Sequence, residues 1–261
     1  MMKISIVTIC YNNEKDVRPT LESVVGQNYP NIEYIVVDGA SKDNSLKIIN
    51  EYKDHISKII SEPDKGIYDA INKGIRNATG DVVGLIHAGD RLHDNEVISK
   101  IAAVYENDPT VDATYGSSKT VNLEGKIVGV NHCPSFKLWR IRWGWMPSHQ
   151  GIYMKRELFE KYGYYRTDLG GAADYEWFIR YFYLHGKEIK VKQMKDFIIW
   201  FTNGGESTKS YRSKMALKGK HTEVMMHSWT ENGLKPLKVL PLVRPYWLLR
   251  VYVTAFFTRR K

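Results

Sequence analysis

Four short β-branched runs punctuate the first 90 residues, and each stops in a polar loop. They are Ile4–Ile9, Ile32–Val37, Ile56–Ser61 and Val82–Ile86. The stretches between them have helical spacing. Glu14–Gln27 places Val17, Leu21, Val24 and Val25 on one face. Ser41–Tyr52 follows, with Ser41 or Asp43 able to cap it, and Gly66–Ala78 is the third. Strands alternating with helices at this pitch predict parallel βαβ units, because parallel neighbours need a crossover connection between them. Ligands of such sheets sit at the carboxyl ends of the strands. Tyr11, Asp38, Asp64 and Asp90 all follow strands or lie in the loops beyond, so one crevice can collect them.

From about residue 110 the periodicity loosens. Aromatic residues crowd Lys137–Trp145 (KLWRIRWGW), Pro147–Met154 reads as another strand and Asp174–His185 as a helix. Asn203–Lys214 is rich in Gly, Ser and Lys and reads as a loop. Trp139, Trp143 and Trp145 alternate with Arg140 and Arg142. They suit three roles equally: sugar stacking, a membrane-interface belt, or core.

Charge separates the end of the chain from its body. The chain carries +9 overall, but Ser207–Lys261 holds 12 Lys and Arg against Glu223 and Glu231, so residues 1–206 are close to neutral. The basic excess implies a polyanionic partner for this segment alone, whether anionic lipid, nucleic acid or a diphosphate. Nucleic-acid binding lacks a supporting motif. Within the segment, Val239–Phe257 has the length of a membrane span, but Pro241, Arg244, Pro245 and Arg250 interrupt it. A membrane-surface segment is expected, with a packed C-terminal helix as the alternative. Two cysteines, Cys10 and Cys133, without a CxxC or a Cys/His cluster, speak against a disulfide framework or zinc site. The apolar start is too short for a signal peptide. The expected location is cytoplasmic, peripheral at the inner face of the cell membrane.

Residues 5–45, SIVTICYNNEKDVRPTLESVVGQNYPNIEYIVVDGASKDNS, resemble the opening of family 2 glycosyltransferases, whose α/β fold is called GT-A. The likeness continues in SEPDKGIYDAINKGIRNATGDVVGLIHAGD, in PSHQGIYMKRELFEKYGYYR, in GAADYEWFIRYFYLHG and in FTNGGES. It covers roughly residues 3–208, and within the family it is most similar to the colanic-acid biosynthesis type. The resemblance implies a Rossmann-like, mostly parallel sheet flanked by helices. It divides the chain into a nucleotide-sugar-binding half, 1–115, an acceptor-binding and catalytic half, 116–208, and a basic, apolar segment, 209–261. The implied activity is inverting transfer of a sugar from a nucleoside diphosphate, most simply a UDP-sugar, to a saccharide or lipid-linked acceptor.

The same resemblance assigns residues. Tyr11 stacks on the base, Thr8 approaches it through its backbone, and Asp38 accepts from the base or ribose unless it only caps the next helix. Asp64, Lys65, Asp69 and Asn72 belong to the second nucleotide-contacting segment. The family's acidic metal signature is replaced by His87-Ala88-Gly89-Asp90, which leaves Asp90 as the expected ligand of Mg²⁺ or Mn²⁺ with His87 as a second. Asp174 matches the catalytic base, which takes the acceptor proton as its oxygen attacks; capping its own helix is the alternative. His149, Gln150 and Trp145 fall on the acceptor or diphosphate side, and Arg180 is expected to form a structural ion pair. A degenerate nucleotide-sugar binder is the competing function. A dehydrogenase or nucleotidyltransferase lacks its glycine-rich loop, since Cys10–Lys15 has no glycine. The absence of QxxRW favours single addition over processive synthesis.

Overall fold

The computed structural model describes residues 1–203 and 220–235. Its strands are β1 (Ile4–Cys10), β2 (Ile32–Asp38), β3 (Lys58–Ser61), β4 (Val82–Leu85), β5 (Arg91–Leu92), β6 (Ala113–Asn122), β7 (Ile127–Asn131), β8 (Ile152–Lys155) and β9 (Val191–Asn203). They join in one mixed sheet of order β3-β2-β1-β4-β8-β6-β9-β5, with β7 paired to β6. β1 is buried along its whole length and pairs in parallel with β2 and β4. A strand covered on both faces needs apolar residues at every position, and ISIVTIC comes close to that. Thr8 and Ser5 are the polar exceptions, and both are hydrogen-bonded: Thr8 to the Tyr34 hydroxyl, Ser5 to Glu33.

The helices are α1 (Val17–Val25), α2 (Ser45–Glu51), α3 (Ile67–Asn77), α4 (Val97–Asn107), α5 (Leu138–Arg142), α6 (Glu157–Tyr162), α7 (Ala173–Ile179) and α8 (Lys220–Glu231). Alternate residues of β1 feed two cores. Ile6 joins Leu21 of α1 and Ile101 of α4 on one side, while Val7 joins Ile71 of α3 and Trp177 of α7 on the other. α3 rides close to β1 at Gly74, where a Cβ would stand 2.2 Å from Val7 Cγ1.

Three elements differ from the sequence expectation. α2 begins at Ser45 because Ser41 is taken up by the Asp38 carboxylate. The strand expected from Pro147 opens as a 3₁₀ turn, His149–Gly151, and β8 starts only at Ile152. The helix of Asp174 ends as α7 at Ile179 and continues through a π-helical turn, Arg180–Leu184. One sheet crosses the expected boundary at residue 115, because β6 begins at Ala113. Residues 204–214 of the expected loop and the apolar stretch 237–257 lie outside the described residues. Among the described residues no helix is long and apolar enough to cross a membrane.

Candidate active site

The loops after β1, β2 and β3 build the first corner of the crevice. Tyr11 leaves β1 with its side chain 62% exposed. A Cβ at Gly39 would lie 2.4 Å from Asp64 Oδ2 and 3.1 Å from the Tyr11 ring, so the three residues meet at one point that only glycine permits. The backbone around them is fixed by cross-loop bonds. Asn12 N donates to Ser41 Oγ, Lys42 N donates to Asn12 Oδ1, and Asn12 and Ala40 both take the left-handed conformation, φ +45° and +58°. Asp43 accepts from Glu14 N and Ser45 N, which makes it a structural anchor.

Several of the residues expected on the donor side have side chains bonded within the protein. Asp38 is fully buried, and its carboxylate accepts from Ser41 N, Ser41 Oγ and Ser61 Oγ. It shapes the corner and presents no free oxygen to a base. Thr8 is sealed in the sheet against Tyr34. Asp69 accepts from Lys65 N at 3.0 Å, and that backbone donor, helped by Lys73 at 3.5 Å, holds its carboxyl below the usual range. Asn72 is buried and clamps the backbone of Tyr165, donating to its carbonyl at 2.7 Å and accepting from its N–H at 3.0 Å. It joins α3 to the Tyr165 turn. Asp64 is partly exposed and Lys65 exposed, so these two remain open to a ligand.

The second corner follows β4. Gln150, on the turn before β8, accepts from His87 N at 2.9 Å and donates through Nε2 to Asp90 Oδ2 at 2.9 Å. Asp90 Oδ1 accepts from Thr202 N of β9 at 3.0 Å. Burial pushes the Asp90 carboxyl up to about 7, against the pull of these donors. His87 and His149 face each other edge-on with their Nε2 atoms 3.1 Å apart. Burial holds both imidazoles below their ordinary value. The neighbouring ring adds to the effect at His87, and Asp174 opposes it at His149. Both Nδ1 atoms are buried without a protein partner.

Asp174 sits in the first turn of α7, partly exposed, with Tyr175 N donating to its Oδ1 at 2.7 Å. Tyr165 packs beside it. Its ring meets His149 edge-on at 6.2 Å and stacks on Trp177 of α7 at 4.8 Å and on Tyr68 of α3 at 5.8 Å. Burial, with Asp174 second, pushes its phenol well above the ordinary range. Arg180 pairs with Glu176 and donates to the Gly163 and Tyr164 carbonyls, fastening α7 to the Tyr165 turn. Trp145, expected at the acceptor side, is buried against Tyr115, Phe136 and Phe178 and is a packing residue. Gly39, Tyr165 and the His87–His149 pairing lie beyond the sequence reading. Gly39 had a signal in its place directly after Asp38; the other two had none.

The residues do not fit the expected Mg²⁺ or Mn²⁺ well. Magnesium asks for oxygen ligands in octahedral array. Here both oxygens of Asp90 already accept, from Gln150 Nε2 and Thr202 N. The imidazoles lack the Nδ1 acceptors that metal-bound histidines use. Among the described residues no group of three or more His, Cys, Asp or Glu could hold an ion.

Known proteins share this architecture. The chain is 30% identical to an uncharacterized glycosyltransferase of Mycobacterium tuberculosis over 68% of each chain. It is also 30% identical to a PGL/p-HBAD biosynthesis glycosyltransferase of Mycobacterium bovis, over 62% of each. Among solved structures, S. aureus TarS 1–349 in complex with UDP-GlcNAc matches with a TM-score of 0.69 at 21% identity, covering 91% of this chain and 68% of that one. The mannosyltransferase PcManGT of Pyrobaculum calidifontis, in complex with GDP-Man and Mn²⁺, matches with 0.66 at 18% identity, covering 94% and 70%. These structures share the GT-A-like fold. The glycosyl transferase family 2 model matches residues 5–163, more than half of the chain, and the protein belongs to that family.

Proposed function

We propose that the protein is an inverting glycosyltransferase that moves a sugar from a nucleoside diphosphate, a UDP-sugar in the first instance, to a saccharide or lipid-linked acceptor in cell-surface polysaccharide biosynthesis. The observation that carries this reading is the clustering of Asp174, His149 and Tyr165, with Tyr165 stacked on Tyr68 of α3, the helix that follows the Asp64 loop. An exposed ring, Tyr11, and a partly exposed carboxylate, Asp64, stand at one end. A partly exposed carboxylate, Asp174, stands at the other with His149 and Tyr165 beside it. In the proposed reaction the Tyr11 face holds the base, Asp64 the ribose or donor sugar, and Lys65 the phosphates. Asp174 takes the proton of the acceptor hydroxyl as its oxygen attacks the anomeric carbon and the bond to the diphosphate breaks. One displacement inverts the configuration and needs no enzyme-bound intermediate. His149 and Gln150 hold the diphosphate end in shape.

The colanic-acid type is our reading of its place in the family, on the HAGD run at His87–Asp90. We place the protein at the inner face of the cell membrane, held through its basic C-terminal segment. The same missing acidic pair favours the second reading, a nucleotide-sugar binder without turnover. Hydrolysis and transfer across a panel of UDP- and GDP-sugars separates the two, with membrane extract as acceptor and with Mg²⁺, Mn²⁺ or EDTA. Release of one nucleoside diphosphate, lost in Asp174→Asn, supports the transferase. Tight nucleotide binding with no turnover supports the binder.

A further inference from the structure

Among the described residues seven large hydrophobic side chains are exposed, and three of them lie on α5, its end and the turn it packs against. Trp139 and Trp143, 56% and 42% exposed, lie four positions apart along α5 and its end, so they share one side of it. α5 packs against the π-helical turn, whose last residue, Leu184, is 41% exposed. The other side of α5 is ordinary core: Ile141 is fully buried, and Trp145 just beyond is buried too.

The segment that carries the two indoles is basic. From Lys126 to Arg156 the chain carries six Lys and Arg and no Asp or Glu. Arg140 lies over the Trp139 ring at 5.0 Å. Arg142 lies over the Trp229 ring at 4.7 Å and donates to the Lys235 carbonyl. Lys235 therefore sits beside α5. The stretch that follows, 236–261, is apolar with six further Lys and Arg and no acidic residue.

Indole rings join an apolar body to a polar N–H and settle at the boundary between lipid and water, while arginine stems lie along apolar surface with the charge outward. A basic rim draws anionic headgroups. His149 lies six positions after Trp143, a reach of at most roughly 20 Å, which keeps a lipid surface near His149. We infer that Trp139, Trp143 and Leu184, with Lys137 and Arg140 beside the indoles, form the face that docks the protein on an anionic membrane surface. This inference rests on the membrane reading proposed above and names the surface and its orientation.

Sedimentation of the full chain with phosphatidylcholine vesicles, with and without phosphatidylglycerol, tests it. The wild type is compared with Trp139→Ser/Trp143→Ser and, independently, with Leu184→Glu; nucleotide-sugar hydrolysis is the control for an intact fold. The expected result is binding to the anionic vesicles about tenfold weaker in either variant, with hydrolysis within twofold of wild type. Vesicle binding unchanged in both variants overturns the docking face, as does wild-type binding that is equally tight to vesicles of phosphatidylcholine alone. Lost transfer to a soluble saccharide with vesicle binding intact assigns the two indoles to the acceptor and also overturns it. Absence of hydrolysis in the wild type, with vesicle binding as expected, sinks the transferase reading and leaves the docking face standing.

Discussion

At the Tyr11–Gly39–Asp64 corner the side chains offered to a ligand stand in solvent, whereas at the Asp90–Gln150–His149 corner they are bonded to one another. The first corner owes its shape to residues behind it: Asp38 with its three serine donors, and the cross-loop bonds of Asn12. The second has little behind it, because the polar groups are themselves the packing. An exposed group can be removed without unfolding the chain, so the first corner should govern affinity. A buried polar network tolerates no missing partner, so the second should govern turnover, stability and pH response.

The largest effect is expected at the base. Asp174→Asn should lower turnover by about 10³-fold, within the range of general-base contributions, and leave nucleotide-sugar affinity within twofold. Single-turnover kinetics with calorimetric binding reads both, and an equal loss in affinity would break the division between corners. Next is the clamp between the halves. Asn72→Ala strips the buried Tyr165 backbone of both its partners and should cost about 3 kcal/mol of stability, read by urea unfolding; an unchanged midpoint would show that α3 and the Tyr165 turn are held by stacking alone.

Smaller effects are expected at the exposed corner. Tyr11→Ala should weaken nucleotide binding about tenfold, the size of one lost base–aromatic stack, with the melting temperature unchanged. Gly39→Ala displaces the Asp64 carboxylate and should weaken binding to a similar degree. Binding that survives both changes would move the nucleoside elsewhere.

A further expected effect concerns pH. The folded chain keeps the Asp90 proton up to about pH 7, while the unfolded chain loses it near the ordinary carboxylate value. Over that interval the folded state binds more protons, so this group lowers stability as pH rises. His87 and His149 act in the opposite sense. Held neutral when folded, they contribute stability above the ordinary imidazole value that is lost as pH falls below it. Asp90→Asn should therefore gain on the wild type in thermal melts as pH rises from 5 to 7, and parallel pH profiles would contradict the buried carboxyl.

The parallel half of the fold was legible because each strand is a β-branched run and each helix a one-sided apolar repeat, which places Tyr11, Asp64 and Asp90 at strand ends by counting. The roles of Asp38 and Asn72 were not. A polar residue at a strand end or on a helix reads the same whether it faces a ligand or a neighbouring backbone, and Tyr165, 93 residues from Asn72 in sequence, decides the case. The His87–His149 contact spans 62 positions and depends on β8 docking against β4, which no local pattern encodes. The aromatic run after Lys137 has no clean period. Its division into buried Trp145 and exposed Trp139 and Trp143 follows from where α5 ends.

The central claim is direct displacement at the sugar carbon by an acceptor that Asp174 deprotonates. The most direct test is the anomeric configuration of the first-formed product, read by proton NMR during transfer from a nucleotide sugar of known configuration. The account predicts a product opposite to the donor at the anomeric carbon, with none formed by Asp174→Asn. A product that retains the donor's configuration, or full transfer by the variant, would contradict it.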